Sequence, residues 1–432
     1  MRTTSLGHGL DMIDLDHNAT TQPTPEVVEA MNLMLREHWH NPSSVHRAGQ
    51  AARQRLELAR AQLAGLVGVR PRTLTLTGSG TESIDLAIRG HLLARGLIGA
   101  ACAGRRGPTP PAVIISPIEH VAVRDLARAL EREEGVRILT AGLDGHGVVS
   151  PASVRALLDE HPETALVSVQ WANNETGAIQ PAPEIGLLCR QRGVTFHCDA
   201  TQWVGKRPTT IVDAPATPPG EQGAHPSPPS AITCDLLTFS PHKFHGPKGV
   251  GVLYARPGVR TAPLIHGEQE LGRRGGTENV PGIVGAGVAA AQAAAWLADP
   301  ENPRRVERLR DRFERAVLAS APDARVNGAG GPLGRLHNTS SIGFARLEAE
   351  ALLLLLSERD VCCSAGAACS SGSLEASPVI RAMKVPPEYA HGTLRFSLSR
   401  ATTEAEIDRA AEIVAACVRR LGGSWTGASG PA

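Results

Sequence analysis

This sequence lacks, first, an excess of charge of one sign. Its 44 lysines and arginines against 43 aspartates and glutamates leave a formal net charge of +1, and no dense basic run occurs. That excludes electrostatic capture of a nucleic acid or an anionic membrane surface as the main function. No basic start leads into an apolar stretch, so no signal peptide is expected. The longest apolar run singled out, Leu352–Leu356, lies between Glu350 and Glu358 and is far too short to span a bilayer. No Cys-X-X-Cys pair, no cysteine–histidine cluster at zinc-finger spacing and no repeat at solenoid or propeller period is found. These absences predict a cytoplasmic, soluble protein.

What is present is ordinary material for a folded chain. Of 432 residues, 42% are hydrophobic and 20% charged, and the length suits one large domain and a smaller one. Eight cysteines are dispersed at 102, 189, 198, 234, 362, 363, 369 and 417. Such cysteines read as small buried side chains with reduced thiols, Cys369 excepted.

Short apolar segments alternate with helical periodicity, which predicts an α/β fold with a mostly parallel sheet. Pro25–Trp39 reads as a helix, with Thr24 as cap, Pro25 in the first turn and Val27, Val28, Met31, Met34 and Leu35 on one face. Leu74–Thr77, Ala112–Ser116, Arg137–Thr140, Ala165–Val169, Val194–Cys198 and Leu236–Phe239 read as buried strands. After about residue 284 the texture turns to Ala- and Arg-rich helices. The expected division is a large domain over 23–283 and a small α+β domain from 1–22 and 284–420. Cys102–Pro111 and Ala214–Ser230 read as irregular surface insertions, and the Gly- and Ser-rich tail 421–432 is expected to be disordered.

Three segments could carry chemistry. Leu74–Ala87 is a strand running into Gly78-Ser79-Gly80 and then a helix near Thr81, a turn that suits a phosphate and equally serves as a plain structural turn. Val194–Gln202 is a buried-looking strand ending in Asp199, where a carboxylate can hold a ring nitrogen protonated or simply cap the next helix. In Cys234–Gly251 an apolar strand ends in Ser240, followed by His242 and Lys243. A lysine at a buried strand end is costly unless neutralised, paired or used covalently, and desolvation makes it an amine competent for a Schiff base. Ser240 and His242 could hold a neighbouring phosphate. Phosphate turn, ring-nitrogen aspartate and strand-end lysine, in that order, match the arrangement of fold-type I pyridoxal phosphate enzymes.

From about Ile13 to Arg420 the chain resembles the cysteine desulfurases of the NifS/IscS group, which are class-V aminotransferase-like enzymes. The motifs carrying the resemblance are Leu15–Thr21, Asn41–His46, Gly80–Ser83, Glu119-His120, Trp171–Gly177, His197–Gln202, His242-Lys243, Arg273–Asn279 and His391–Arg400. Trp171–Gly177, Arg273–Asn279 and His391–Arg400 look more like the nitrogen-fixation NifS branch. The resemblance implies a fold-type I large domain with a mostly parallel seven-stranded sheet, pyridoxal 5'-phosphate as cofactor and a homodimer. It implies that Lys243 binds the cofactor and moves substrate protons, and that Asp199 pairs with the ring nitrogen. His120 would stack on the ring and act as acid or base. Gly80, Thr81, Ser240, His242 and, from the other subunit, Thr277 would bind the phosphate. Asn174 and Gln202 would contact the ring and its phenolic oxygen, with Arg395 and Asn41 on the substrate carboxylate.

Cys369 lies among small residues in Val361–Glu375, which predicts a mobile loop. Its thiolate would take sulfur from L-cysteine as a persulfide, leave alanine, and deliver the sulfur to an iron–sulfur scaffold, where it can also ligate a cluster transiently. Cys362 and Cys363 match the strand before the loop. Three departures stand out: Pro241 where the family has a small residue, Ser-Ala-Gly-Ala-Ala before Cys369 where Ser-Ser-Gly-Ser-Ala is commoner, and the Ala214–Ser230 insertion. Two other functions share parts of this pattern. Selenocysteine lysis or another reaction of the same cofactor needs no thiol in a mobile loop. A non-enzymatic sulfur carrier has no use for Lys243, Asp199, His120 and Arg395 together.

Overall fold

Apolar runs of four or five residues, too short for helices, pair into the central sheet. The computed structural model describes residues 12–99, 109–212, 230–366 and 375–426. Its first part runs β1 (Ile13–Asp14), α1 (Pro25–Arg36), α2 (Arg47–Val67), β2 (Leu74–Thr77), α3 (Gly80–Ala94), β3 (Ala112–Ile115), α4 (Val121–Glu134) and β4 (Arg137–Thr140). Then come α5 (Pro151–Glu160), β5 (Thr164–Ser168), α6 (Ala182–Arg192), β6 (Thr195–Asp199), the short pair β7 (Thr210–Ile211) and β8 (Ala231–Ile232), β9 (Leu236–Phe239) and β10 (Gly251–Ala255). The main sheet has the order β2-β10-β9-β6-β5-β3-β4. Only β10 runs antiparallel to its neighbours. All four residues of β2, β3 and β9 are buried, as expected where helices cover both faces.

The six expected strands are present with ends moved by no more than one residue, and the α1 helix stops three residues short of Trp39. The seventh strand, β10, is the Gly-rich return after Lys243; its Tyr254 opposes Leu237 in the ladder.

The remainder runs α7 (Gln269–Gly272), α8 (Val280–Leu297), α9 (Glu301–Ser320), β11 (Ala324–Val326), β12 (Thr339–Phe344), α10 (Ala349–Ser357) and β13 (Val361–Cys362). It ends with α11 (Pro378–Ala382), α12 (Pro387–Ala390), β14 (Thr393–Ser397) and α13 (Glu404–Thr426). Strands β11, β12 and β14 form an antiparallel sheet, and β1 pairs parallel with β13. A second apolar core gathers Leu15, Phe313, Phe344, Leu352, Phe396 and Val414.

Two features of the helices bear on the expected boundaries. Residue 284 falls inside α8, whose Ile283, Ala286, Ala289, Ala290 and Ala293 belong to the core of the main sheet; the second core starts with Val306 of α9. Helix α13 continues to Thr426, past the expected start of the tail at 421, because its apolar stripe of Ile407, Ala410 and Val414 packs on the second core. Residues 427–432 lie outside the described ones, as do most of the two expected insertions.

Helix α8 is also longer and more apolar than the Leu352–Leu356 run, enough in length and composition to cross a membrane, though half of it is buried inside the fold. It lies against α2 so closely that a Cβ on Gly287 would stand 2.6 Å from the Ala59 Cβ. Only a residue without a side chain permits that approach.

Aromatic side chains are few, and two are spent on one contact. The rings of Trp171 and Trp203 stack with centroids 4.4 Å apart and planes 3° from parallel, both buried. The stack joins the segment after β5 to the segment after β6. Trp203→Ala is therefore expected to cost about 3–5 kcal/mol in denaturant unfolding. A loss below about 1 kcal/mol, the size of a surface change, would show that the stack does not hold these segments together.

Candidate active site at the carboxyl edge of the sheet

Turns leaving the carboxyl ends of β2, β3, β5, β6 and β9 meet around a cavity of about 410 Å³, the usual place for a ligand in such a sheet. After β2, Ser79 caps α3, its hydroxyl accepting from Glu82 N at 3.1 Å. Glu82 reaches back to Gly78 N at 2.8 Å and pairs with Arg274 Nε at 2.7 Å, which pins the turn. The first-turn N–H groups at Gly80 and Thr81 have no partner along the helix and sit at its positive end. A Cβ on Gly80 would come 3.3 Å from the Ser240 Cβ, so glycine keeps the β2 and β9 turns close.

After β9, Ser240 donates to Val250 O at 3.0 Å, and Pro241 opens a 3₁₀ turn through Lys243. His242 Nδ1 lies 3.1 Å from Thr20 Oγ1; burial, helped by Lys243 and Lys248, pushes its pKa down to about 3, so it is neutral.

Asp199 ends β6, and its Oδ1 accepts from Thr201 N at 3.0 Å. Beneath it His197 bridges Ser168 Oγ at 2.9 Å and Thr238 Oγ1 at 3.1 Å; burial lowers its pKa to about 4, against the pull of Asp199. His120 caps α4, its Nδ1 accepting from Ala122 N at 3.2 Å, which leaves the proton of the neutral ring on Nε2. Burial lowers its pKa too, with Asp199 opposing. Glu119 accepts from Gln170 N at 2.9 Å, while its other oxygen is buried without a partner. Burial drives its pKa well up, and the same cause raises that of Glu175.

The lysine end of the cavity rests on Asn18. Lys243 Nζ donates to the carbonyl oxygens of Asn18 at 2.8 Å and Ala19 at 2.7 Å. Lys206 Nζ donates to Asn18 Oδ1 at 2.8 Å and Gln202 Oε1 at 2.6 Å, and Gln202 Nε2 donates to Asn18 O at 3.0 Å. Arg395, from β14, pairs with Asp16 Oδ1 at 2.7 Å and donates to Asn174 O at 3.2 Å; its buried Nε has no acceptor among the described residues.

Of the residues expected from sequence, Gly80, Thr81, His120, Asn174, Asp199, Gln202, Ser240, His242, Lys243 and Arg395 all line this cavity. Asn41 and Thr277 do not line it within one chain. Asn41 Oδ1 accepts from Ser43 N, and its neighbours Pro42 and Ser43 face a separate cleft with Arg60 and Glu270. Cys369 lies outside the described residues. The described residues on either side of it converge on Glu175: Ser377 donates to its Oε2, and a Cβ on Gly366 would lie 2.7 Å from the same oxygen. The thiol of Cys363 is pushed up by burial, in keeping with a structural role. Asp16, Asn18 and Lys206 escaped the sequence reading. The first two sit in the Leu15–Thr21 motif without an assigned role. Lys206 had a faint signal, a lysine four residues past Gln202 beside the apolar Trp203 and Val204.

The buried histidines give a pH dependence of stability. Above the ordinary histidine value of 6.5, His197 is neutral in both folded and unfolded states. As pH falls from there towards about 4, the unfolded chain takes up a proton that the folded one refuses, so stability falls. In His197→Gln the loss over that window should be smaller, measured by denaturant unfolding at several pH values. Identical pH dependence of the two proteins would refute the assignment.

The model of the family described as aminotransferase class-V matches residues 13–214 and 222–410. The chain is 43% identical over 414 residues to a cysteine desulfurase of Trichormus azollae, covering 95% of this chain and 94% of that protein. A cysteine desulfurase of Klebsiella pneumoniae is 41% identical over 416 residues, covering 95% and 94%. Among solved structures, a NifS-like protein superposes with a TM-score of 0.80 at 32% identity, covering 95% of this chain and all of that one. A structure described as SspA in complex with cysteine gives 0.71 at 28% identity, covering 90% and 99%. The chain belongs to the class-V aminotransferase family, with relatives that are named cysteine desulfurases.

Proposed function

We propose that this chain is a cysteine desulfurase, using pyridoxal 5'-phosphate to turn L-cysteine into L-alanine and leaving the sulfur as a persulfide on Cys369. The observation that carries the reading is the meeting of a helix N-terminus at Gly80 and Thr81, the Asp199 carboxylate and the Lys243 amine in one cavity. The residues present fit that cofactor. The glycine cradle against Ser240 and the free first-turn N–H groups suit its phosphate, with His242 beside them. A carboxylate 5% exposed at a strand end suits a protonated ring nitrogen. Lys243 supplies the amine for covalent attachment. When bound, the cofactor provides an electron sink for charge developing at the substrate Cα.

The remaining steps belong to the chain. Arg395 takes the substrate carboxylate with a guanidinium whose Nη1 and Nη2 are already held by Asn174 O and Asp16. Asn41 assists it. The Lys243 amine removes the Cα proton and, after sulfur transfer, returns a proton to Cα. His120, neutral with its proton on Nε2, stacks on the ring and serves as acid or base. The Cys369 thiolate attacks the substrate sulfur: an S–S bond forms, the C–S bond breaks, and the carbon keeps the electron pair and gains a proton to become the methyl group of alanine. The persulfide then passes to an iron–sulfur scaffold.

The active unit is a homodimer in which Thr277 reaches the phosphate of the second copy. Three large exposed apolar side chains support this: Trp39 is 68%, Val45 88% and Leu271 70% exposed, and Leu271 lines the separate cleft.

The purified protein should carry a visible absorption band that cysteine changes, with alanine released. A colourless protein that the cofactor does not reconstitute would sink the reading. Cys369→Ala should keep the band and lose alanine and sulfide formation by about 100-fold or more, the scale on which losing a nucleophile acts; a normal rate would remove Cys369 from the scheme. Arg395→Lys, which keeps the charge but not the fork, should lower kcat/KM for cysteine about 10–100-fold. An unchanged value would place the carboxylate elsewhere.

A further inference from the structure

Lys206 is the cavity's unexplained group. It is 7% exposed, and among the described residues no carboxylate lies within ion-pair distance of it. Burial drives its pKa well down, and Lys243 and Arg395 add to the effect. A buried lysine without an anion is costly, so a methionine there would fold more cheaply. What lysine offers is direction. Its Nζ makes two contacts, to Asn18 Oδ1 and Gln202 Oε1, and both partners are oxygens, so it donates in both.

That donation acts together with the bonds from Gln202 Nε2 to Asn18 O and from Asn338 Nδ2 to Asn18 Oδ1 to fix how both amides lie. The Gln202 oxygen is turned to Lys206, so its nitrogen faces the other way. One N–H goes to Asn18 O, and the second is the edge left for the cavity that Gln202 lines. The Asn18 oxygen is likewise turned to Lys206, which leaves Asn18 Nδ2 to donate to Asn174 O at 3.2 Å and Thr339 Oγ1 at 2.9 Å. The same Asn18 residue offers its carbonyl to Lys243. Without the donor, only the Nε2–H given to Asn18 O would hold the Gln202 amide that way round.

We propose that Lys206 is a positioning residue: by donating to Gln202 Oε1 it makes Gln202 present an N–H, and not its oxygen, to the phenolic oxygen of the bound cofactor. The inference rests on the cofactor reading given above. A donor at that oxygen favours its anionic form most when the neighbouring Lys243 nitrogen carries no proton. It therefore lowers the pH at which the visible band of the loaded enzyme changes.

The test is a pH titration of that band in the cofactor-loaded protein, without cysteine, across the neutral and alkaline range. Lys206→Met should raise the midpoint by about one pH unit, a tenfold change in the proton equilibrium. Gln202→Leu should raise it by a similar amount, and the double variant should gain little more, because both changes remove one N–H. An unchanged midpoint in a coloured Lys206→Met protein, or full additivity of the two changes, overturns the proposal. If Lys206→Met does not fold, Gln202→Glu decides: it keeps an oxygen for Lys206 and removes the N–H, so the midpoint must still rise. A midpoint that stays or falls overturns the proposal. A wild-type protein with no band would sink the cofactor reading itself, and this inference with it.

Discussion

A buried polar group has to find a partner inside the protein, and at the carboxyl edge of this sheet much of that demand falls on Asn18. Its backbone carbonyl takes Lys243 and Gln202, its side-chain oxygen takes Lys206 and Asn338, and its side-chain nitrogen reaches Asn174 and Thr339. These partners come from both cores. Asn18 itself follows β1, which is paired with β13 of the second core. One short N-terminal segment thus joins the two parts of the fold at the place where the chemistry is proposed. In a low-dielectric setting each of these bonds is strong, and each would be expensive to leave unmade.

Burial also controls charge around the cavity. It lowers the pKa values of His120, His197 and His242 and raises those of Glu119 and Glu175, so these groups tend to their neutral forms. The Asp199 carboxylate and Arg395, which is paired with Asp16, face the same cavity. A phosphate, a ring nitrogen and a substrate carboxylate would then each meet a distinct partner: a helix end, an anion and a guanidinium.

Much of the fold was legible because the strands are short, apolar and separated by helices of clear period. β10 was harder to see: it follows a Gly-rich return, and nothing in its composition says that it runs antiparallel between β2 and β9. Helix α8 is Ala-rich like the helices after it, and only its packing against α1 and α2 assigns its buried face to the first core. In the site, Asp199 and Lys243 could be found because they end strands. Asp16, Asn18 and Lys206 could not, since their roles rest on partners far away in sequence: Asp16 meets Arg395 across 379 positions and Lys206 meets Asn18 across 188.

The sequence by itself determined the α/β class, the order of turn, aspartate and lysine along the chain, and the family resemblance. Those depend on local period and on which residue follows which strand. Tertiary structure alone decided that these residues share one cavity, that Arg395 is held by Asp16, and that a buried lysine meets two amide oxygens. The reason is physical: hydrogen-bond direction and desolvation are set by neighbours in space, and the pairing of distant segments that supplies those neighbours leaves no periodic mark in the chain.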